Sequence, residues 1–271
     1  MSYRTILVEL SSERVAETNL RVARRLAARF DASFVALHVV PPPYVPSTWD
    51  GGASVYIRPE LLEAQRAAAE AARRRAEAAF RALCADDPRA VWREAEGDPA
   101  TVLAEAARTA DLLLVARPGP SALDDPDLPE RLVMTTGVPV LILPQGAPED
   151  LGRIILVGWS GSREATRAAH EALPFLTTAG RVILCAVGEG GVATLEPAAE
   201  MLRRHGVPVE PLAVTEPDDD AGAVLLAQAA AHDADLLVMG AYGHARLREL
   251  VFGGATRRVL SEATLPVLFS G

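Results

Sequence analysis

The stretch Asp235–Leu260, DLLVMGAYGHARLRELVFGGATRRVL, decides how the rest of the chain is read. Leu236 to Met239 is an unbroken apolar run of strand length that stops at Gly240. Gly243 follows three residues later, and nine residues without glycine lead to the Gly253-Gly254 pair, where a helical pattern opens. Glycines placed this way have two explanations. They make a tight connection between a strand and a helix, or they let the backbone come close to a ligand. The rest of the chain has to choose between packing and a phosphate site.

The same pattern occurs earlier in the chain. ADLLLVARPG from Ala110 resembles ADLLVMGAYG from Ala234, and GVPVLILP from Gly137 resembles TLPVLFSG from Thr264. YRTILVELSSERVAETNLRVARRLA from Tyr3 resembles GRIILVGWSGSREATRAAHEALPFL from Gly152. The three pairs come in the same order, so the chain carries two copies of one unit, residues 1–146 and 152–271, joined by the short polar GAPED. In the second copy the periodicity predicts strands at Ile154–Trp159, Arg181–Val187, Val207–Val214, Asp235–Met239 and Pro266–Phe269. Helices are predicted at Glu164–Leu176, capped by Ser162, and at Thr194–His205, Ala221–His232 and Gly254–Glu262. The first copy follows suit, with a long helix near Pro59–Cys84 and a Pro- and Gly-rich loop, Pro41–Pro59, as its extra length. Strands that are apolar throughout belong in a parallel sheet covered on both faces. The fold class is therefore α/β: two repeated open five-stranded parallel sheets with helices on both faces.

Composition narrows the function. A chain of 271 residues with a formal net charge of −9 repels nucleic acid and anionic membranes unless it carries a local basic patch. The arginine clusters Arg73-Arg74-Arg75, Arg203-Arg204 and Arg257-Arg258 sit beside acids or on predicted helices and read as solvated faces. Cys84 and Cys185 lack metal or redox spacing. No apolar run reaches the roughly 18 residues of a membrane span, and MSYRTILVEL enters a strand at once. The expectation is a cytoplasmic protein with no nucleic acid and no membrane as partner.

Open α/β sheets bind ligands at the carboxyl ends of strands, where strand order reverses. The loops after the first and fourth strands of the second copy, GWSGS (Gly158–Ser162) and GAYG (Gly240–Gly243), are the candidates. The spacing G-x2-G-x9-G alone is weak, since at a background of about 7% glycine it arises by chance in roughly one chain in ten of this length. Its placement between a buried strand and a helix start, where free N–H groups attract phosphate, is what adds weight.

With these residues in hand, the chain resembles a tandem member of the universal stress protein family. The resemblance rests on the element order, ILVGWSGS, the GDPA at Gly97–Ala100, the Asp235–Leu260 stretch and the closing LPVLFS. It implies a stress-response or signalling protein that binds ATP or another adenine nucleotide, with or without Mg2+, in its second domain. The implied nucleotide-binding residues are Gly158, Trp159, Ser160, Val187, Met239, Gly240, Gly243, Gly253, Gly254, Ala255 and Thr256. Two positions depart from the ATP-binding pattern: Gly254 stands where a Ser or Thr is expected, and Ser160 where an Asp is common. The first copy departs further. Ala116 replaces the first glycine, and the acids Asp124, Asp125 and Asp127 stand where phosphates would go, so no phosphate site is expected there.

The resemblance also implies dimerisation through the last strand of the sheet. In a tandem chain Pro139–Leu143 and Pro266–Ser270 would meet antiparallel about a pseudo-twofold axis, an intrachain pseudo-dimer, with a homodimer of whole chains as a further step. The five histidines show no metal spacing, and no nucleophile–base pattern surrounds Ser160 or Ser162. No base is positioned to activate water, so slow ATP hydrolysis is the most the sequence supports. Two other readings stay open: a ligand-free interaction protein that uses the fold as a scaffold, and an adenylyl-transfer enzyme, against which the missing substrate domain argues.

Overall fold

The computed structural model describes residues 2–10, 16–43, 59–119, 125–215, 220–241 and 254–271. The first half of the chain runs β1 (Thr5–Glu9), α1 (Ala16–Phe30), β2 (Ser33–Val40), α2 (Pro59–Cys84), β3 (Ala90–Glu96), α3 (Pro99–Ala107), β4 (Leu112–Ala116), α4 (Leu128–Thr135) and β5 (Val140–Leu143). The second half runs β6 (Ile154–Trp159), α5 (Arg163–Glu171), α6 (Leu173–Leu176), β7 (Arg181–Val187), α7 (Glu189–Val192), α8 (Leu195–Arg204), β8 (Val209–Val214), α9 (Ala221–Ala231), β9 (Leu236–Gly240), α10 (Gly254–Glu262) and β10 (Val267–Ser270).

Each half is a five-stranded parallel sheet, and the two join into one sheet of order β3-β2-β1-β4-β5-β10-β9-β6-β7-β8. The order reads the same from both ends once the halves are exchanged, which is the pseudo-twofold. The join is antiparallel, as expected: Val267 pairs with Ile142, Leu268 with Leu141 and Phe269 with Val140. The outer edges of the whole sheet are β3 and β8. Arg93, Glu94 and Glu96 on one and Pro211 on the other discourage further strands from adding.

Alternation along the strands divides the core between the two faces. Leu141 and Leu268 belong to a cluster that includes Leu20, Leu26, Phe30, Phe175, Leu176 and Leu202. Val140, Ile142, Val267 and Phe269 belong to the opposite cluster, with Leu103, Leu132, Leu225 and Val259. Both clusters draw on both halves. On the first face Tyr3, Phe30 and Phe175 meet edge to face with centroids 5.0 to 5.7 Å apart. Arg29 lies over Phe30 and Phe175 and donates to the Leu151 carbonyl at 2.7 Å, tying α1 to the segment that enters β6.

The repeated Ala-Asp before β4 and β9 has a structural cause. The Asp235 carboxylate accepts from the backbone N–H groups of Gly152, Arg153 and Ile154 at 2.9, 3.0 and 3.1 Å. Asp111 does the same for Arg4 and Thr5 at 2.7 and 2.8 Å. Each aspartate fixes where the first strand of its half begins. Asp235→Ala leaves three donors without their acceptor, and the expected loss is roughly 2 kcal/mol. Urea unfolding measures it, and a loss below about 0.5 kcal/mol, the ordinary range for a surface substitution, would contradict the assignment.

One expected helix differs, and one short helix is additional. The helix Glu164–Leu176 is divided at Ala172, because Pro174 has no N–H to continue the ladder. Helix α7 was not expected: the predicted elements pass from the strand ending at Val187 to the helix starting at Thr194. The arginine clusters are paired with acids: Arg73 with Glu70, Glu77 and Glu94, Arg203 with Glu196, and Arg258 with Asp220 and Glu262. Both cysteines are buried, and burial pushes each thiol up to about 11, so neither is a ready thiolate.

Candidate functional site

In the second half the chain goes outward from β6 to β7 and β8, then returns to place β9 and β10 on the other side. The switch point lies between β6 and β9, and the crevice beyond their carboxyl ends is where such sheets take ligands. Gly158 pairs with Met239 there, and Gly240 with Ser270.

Several of the expected site residues have structural duties. A Cβ on Gly240 would stand 2.4 Å from the Glu164 carbonyl carbon and 2.5 Å from the Ala165 amide nitrogen. The end of β9 therefore passes directly against the first turn of α5, and only glycine fits. A Cβ on Gly158 would come within 2.9 Å of Leu225 on α9. The Trp159 indole is buried, and its Nε1–H donates to the Thr194 hydroxyl at 2.9 Å, so the ring belongs to the core. The Ser160 hydroxyl donates to that of Ser162 at 3.0 Å, and Ser162 accepts from the Ala165 N–H at 3.1 Å as the cap of α5. Val187, at the end of β7, is half-buried.

The far side of the crevice is the start of α10. Among the described residues a Cβ on Gly254 would meet nothing within 4 Å. Ala255 is half-buried and Thr256 is buried in the same turn. Gly243 and Gly253 lie outside the described residues, as does His244. One contributor was missed in the sequence: a Cβ on Gly222 would stand 2.7 Å from the Ala255 carbonyl oxygen. This lets α9 and α10 lie close together. A glycine inside a helical pattern was the available signal.

The GDPA segment and its counterpart set the helix positions. Asp98 caps α3, accepting from the Thr101 N–H at 3.0 Å, and pairs with Arg131 of α4 at 2.7 Å. Asp220 caps α9 and pairs with Arg258 of α10 at 3.2 Å. Burial works to raise the Asp98 carboxyl, but its hydrogen bonds from Thr101 and Arg131 outweigh this and hold it below the usual range. Arg131 also holds Asp125 at 3.0 Å, so the acid-rich stretch after β4 is partly neutralised rather than purely repulsive. Asp127 precedes α4 without a side-chain cap bond, and Asp124 lies outside the described residues. The first half has a further obstruction. Glu9 occupies the place of Gly158 in the repeat and is 1% exposed. A buried glutamate side chain stands there, whereas in the second half the Leu225 side chain closes over a glycine.

Among the described residues no group of three or more His, Cys, Asp or Glu side chains could hold a metal ion. No described helix is long and apolar enough to cross a membrane. The family model for universal stress proteins matches residues 2–144 and 194–270. The chain belongs to the universal stress protein family. A universal stress protein from Synechocystis sp. is 56% identical over 34 residues, a stretch that spans 12% of this chain and 12% of that protein. The fold is shared with solved structures over the whole length. A universal stress protein from Archaeoglobus fulgidus superposes with a TM-score of 0.70 at 18% identity, covering 100% of this chain and 96% of that one. A protein of unknown function from Pseudomonas aeruginosa PAO1 gives 0.60 at 17% identity, covering 99% and 92%. The tandem arrangement of the universal stress fold is thus the architecture of the entire chain.

Proposed function

We propose that this universal stress protein binds an adenine nucleotide, ATP foremost, in the crevice between the carboxyl ends of β6 and β9 and the start of α10. We read residues 1–146 and 152–271 as its two domains, the second holding the nucleotide. The observation that carries the reading is the glycine spacing Gly240, Gly243, Gly253 at the switch point of this fold, with Gly254 beginning a nine-residue helix. The phosphates would meet the N–H groups of the α10 first turn, with Gly254, Ala255 and Thr256. Trp159 and Ser160 would contribute through backbone, since the indole is buried and the hydroxyl already serves the α5 cap. In the first domain Glu9, Ala116 and the Asp125–Arg131 pair take the place of a cradle. Nucleotide occupancy, rather than turnover, would then be the signal that the protein reports in a cytoplasmic stress response.

ATP at about 100 times its dissociation constant should stabilise the chain by roughly 2.7 kcal/mol. For a chain of this size that is a rise in Tm on the order of 5 °C. Gly243→Val should abolish the rise, because a β-branched residue blocks backbone approach. Absence of any rise with millimolar ATP, AMP or cyclic nucleotide in the wild type would leave the scaffold reading in its place.

A further inference from the structure

The antiparallel join turns the two halves against each other. The carboxyl ends of β1 to β5 open on one margin of the sheet, and those of β6 to β10 on the opposite margin. Helix α10 links β9 to the parallel strand β10, so it runs back across the sheet from the second margin to the first. Its last turns arrive beside the carboxyl end of β4.

Arg117 stands there, one residue past β4, with its N–H donating to the Leu143 carbonyl at 2.8 Å. Its guanidinium Nη2 reaches the carbonyl of Val259, in the later part of α10, at 3.4 Å. Nε is buried with no hydrogen-bond partner among the described residues. Burial holds the group below the usual arginine range, with no carboxylate among the described residues acting against it. A half-buried cation with no carboxylate beside it among the described residues is costly, and the carbonyl end of a helix supplies negative potential there.

The repeat provides an internal control. Arg117 corresponds to Ala241, whose N–H donates to the Ser270 carbonyl at 2.7 Å in the same way. Val259 corresponds to Leu132, each following the arginine that pairs with a helix-capping aspartate. The reciprocal contact would run from residue 241 to α4, and alanine has no side-chain donor to make it. The half without a cradle reaches into the half that has one, and residue 241 does not reach back.

We propose that Arg117 is a positioning residue for the nucleotide crevice: it holds the last turns of α10 and thereby sets where the first turn, Gly254 to Thr256, stands. The inference rests on the nucleotide reading. The helix is only about 13 Å long and behaves as a rod, so a shift at one end is felt at the other.

The test uses the full chain as wild type, Arg117→Met and Arg117→Lys. ATP affinity is measured by titration calorimetry, and amide exchange over residues 257–263 is measured without ligand. Methionine keeps the aliphatic stem and removes the charge and donors, so a packing role alone would leave it like wild type. We expect Arg117→Met to weaken ATP binding roughly tenfold and to speed exchange in α10, and Arg117→Lys to recover most of both. Wild-type affinity or wild-type exchange in Arg117→Met overturns the proposal. If the wild type itself binds no ATP, the nucleotide reading fails, and the exchange measurement alone decides the anchor: faster exchange supports it, unchanged exchange ends it.

Discussion

Leu268→Ala is expected to lower the stability of the entire chain by about 3 kcal/mol and to do so in one unfolding transition. Leu268 faces Leu141 across the antiparallel pair that joins the halves, and neither is more than 1% exposed. Removing three carbons there leaves a cavity that strand backbone on both sides cannot close. The cluster that contains the pair runs from Leu20 and Phe30 in the first half to Phe175 and Leu202 in the second. A weakened join therefore weakens both. Tryptophan supplies the probes, since Trp92 reports on the first half and Trp159 on the second. Single-tryptophan variants unfolded in urea should give coincident curves, and Leu268→Ala should move both midpoints together. Two separated transitions would show that each half is stable alone and that the join is incidental.

Gly240→Ala and Gly254→Ala should separate packing from ligand approach within one motif. At Gly240 the new Cβ would overlap the backbone of α5 at 2.4 Å. Backbone is not a flexible side-chain end, so β9 or α5 must move, at a cost of about 3 kcal/mol. At Gly254 the methyl group meets none of the described residues, and the loss of unfolded-chain freedom should stabilise by roughly 0.5 kcal/mol. Denaturation midpoints read both. Equal effects at the two positions would mean that the placement of β9 against α5 is wrong. On the nucleotide reading, Gly254→Ser supplies the hydroxyl that the family resemblance leads one to expect there, and ATP affinity should rise.

The strands were legible because their apolar runs are complete and their boundaries are marked by glycine, proline and charge. Pro59 and Cys84 bound α2 as expected, and the join between β5 and β10 was implied by the family resemblance, with two closing strands too apolar to face water in its favour. What the sequence hid is distance through space. Gly240 invites a ligand reading because nothing near it in the chain explains it. Its actual neighbours, Glu164 and Ala165, lie on another helix. Glu9 aligns with Gly158 in the repeat, but only the fold shows that its side chain is buried. Arg117 followed an alanine in a decayed copy and gave no periodic signal at all. Short α7 was invisible because its glycines are suited equally to a loop and to one turn of helix packed beneath Trp159.

The pairing of β5 with β10 is made within a single polypeptide, and this sets how the molecule responds to abundance. Two separate subunits joined by such an edge part when diluted below their dissociation constant. Here the partners are tethered, at an effective concentration in the millimolar range for a short connection. The assembled form is therefore the same at scarcity and at plenty, and a cell that raises or lowers the amount of this chain changes only how many copies it has, never their state of assembly across β5 and β10.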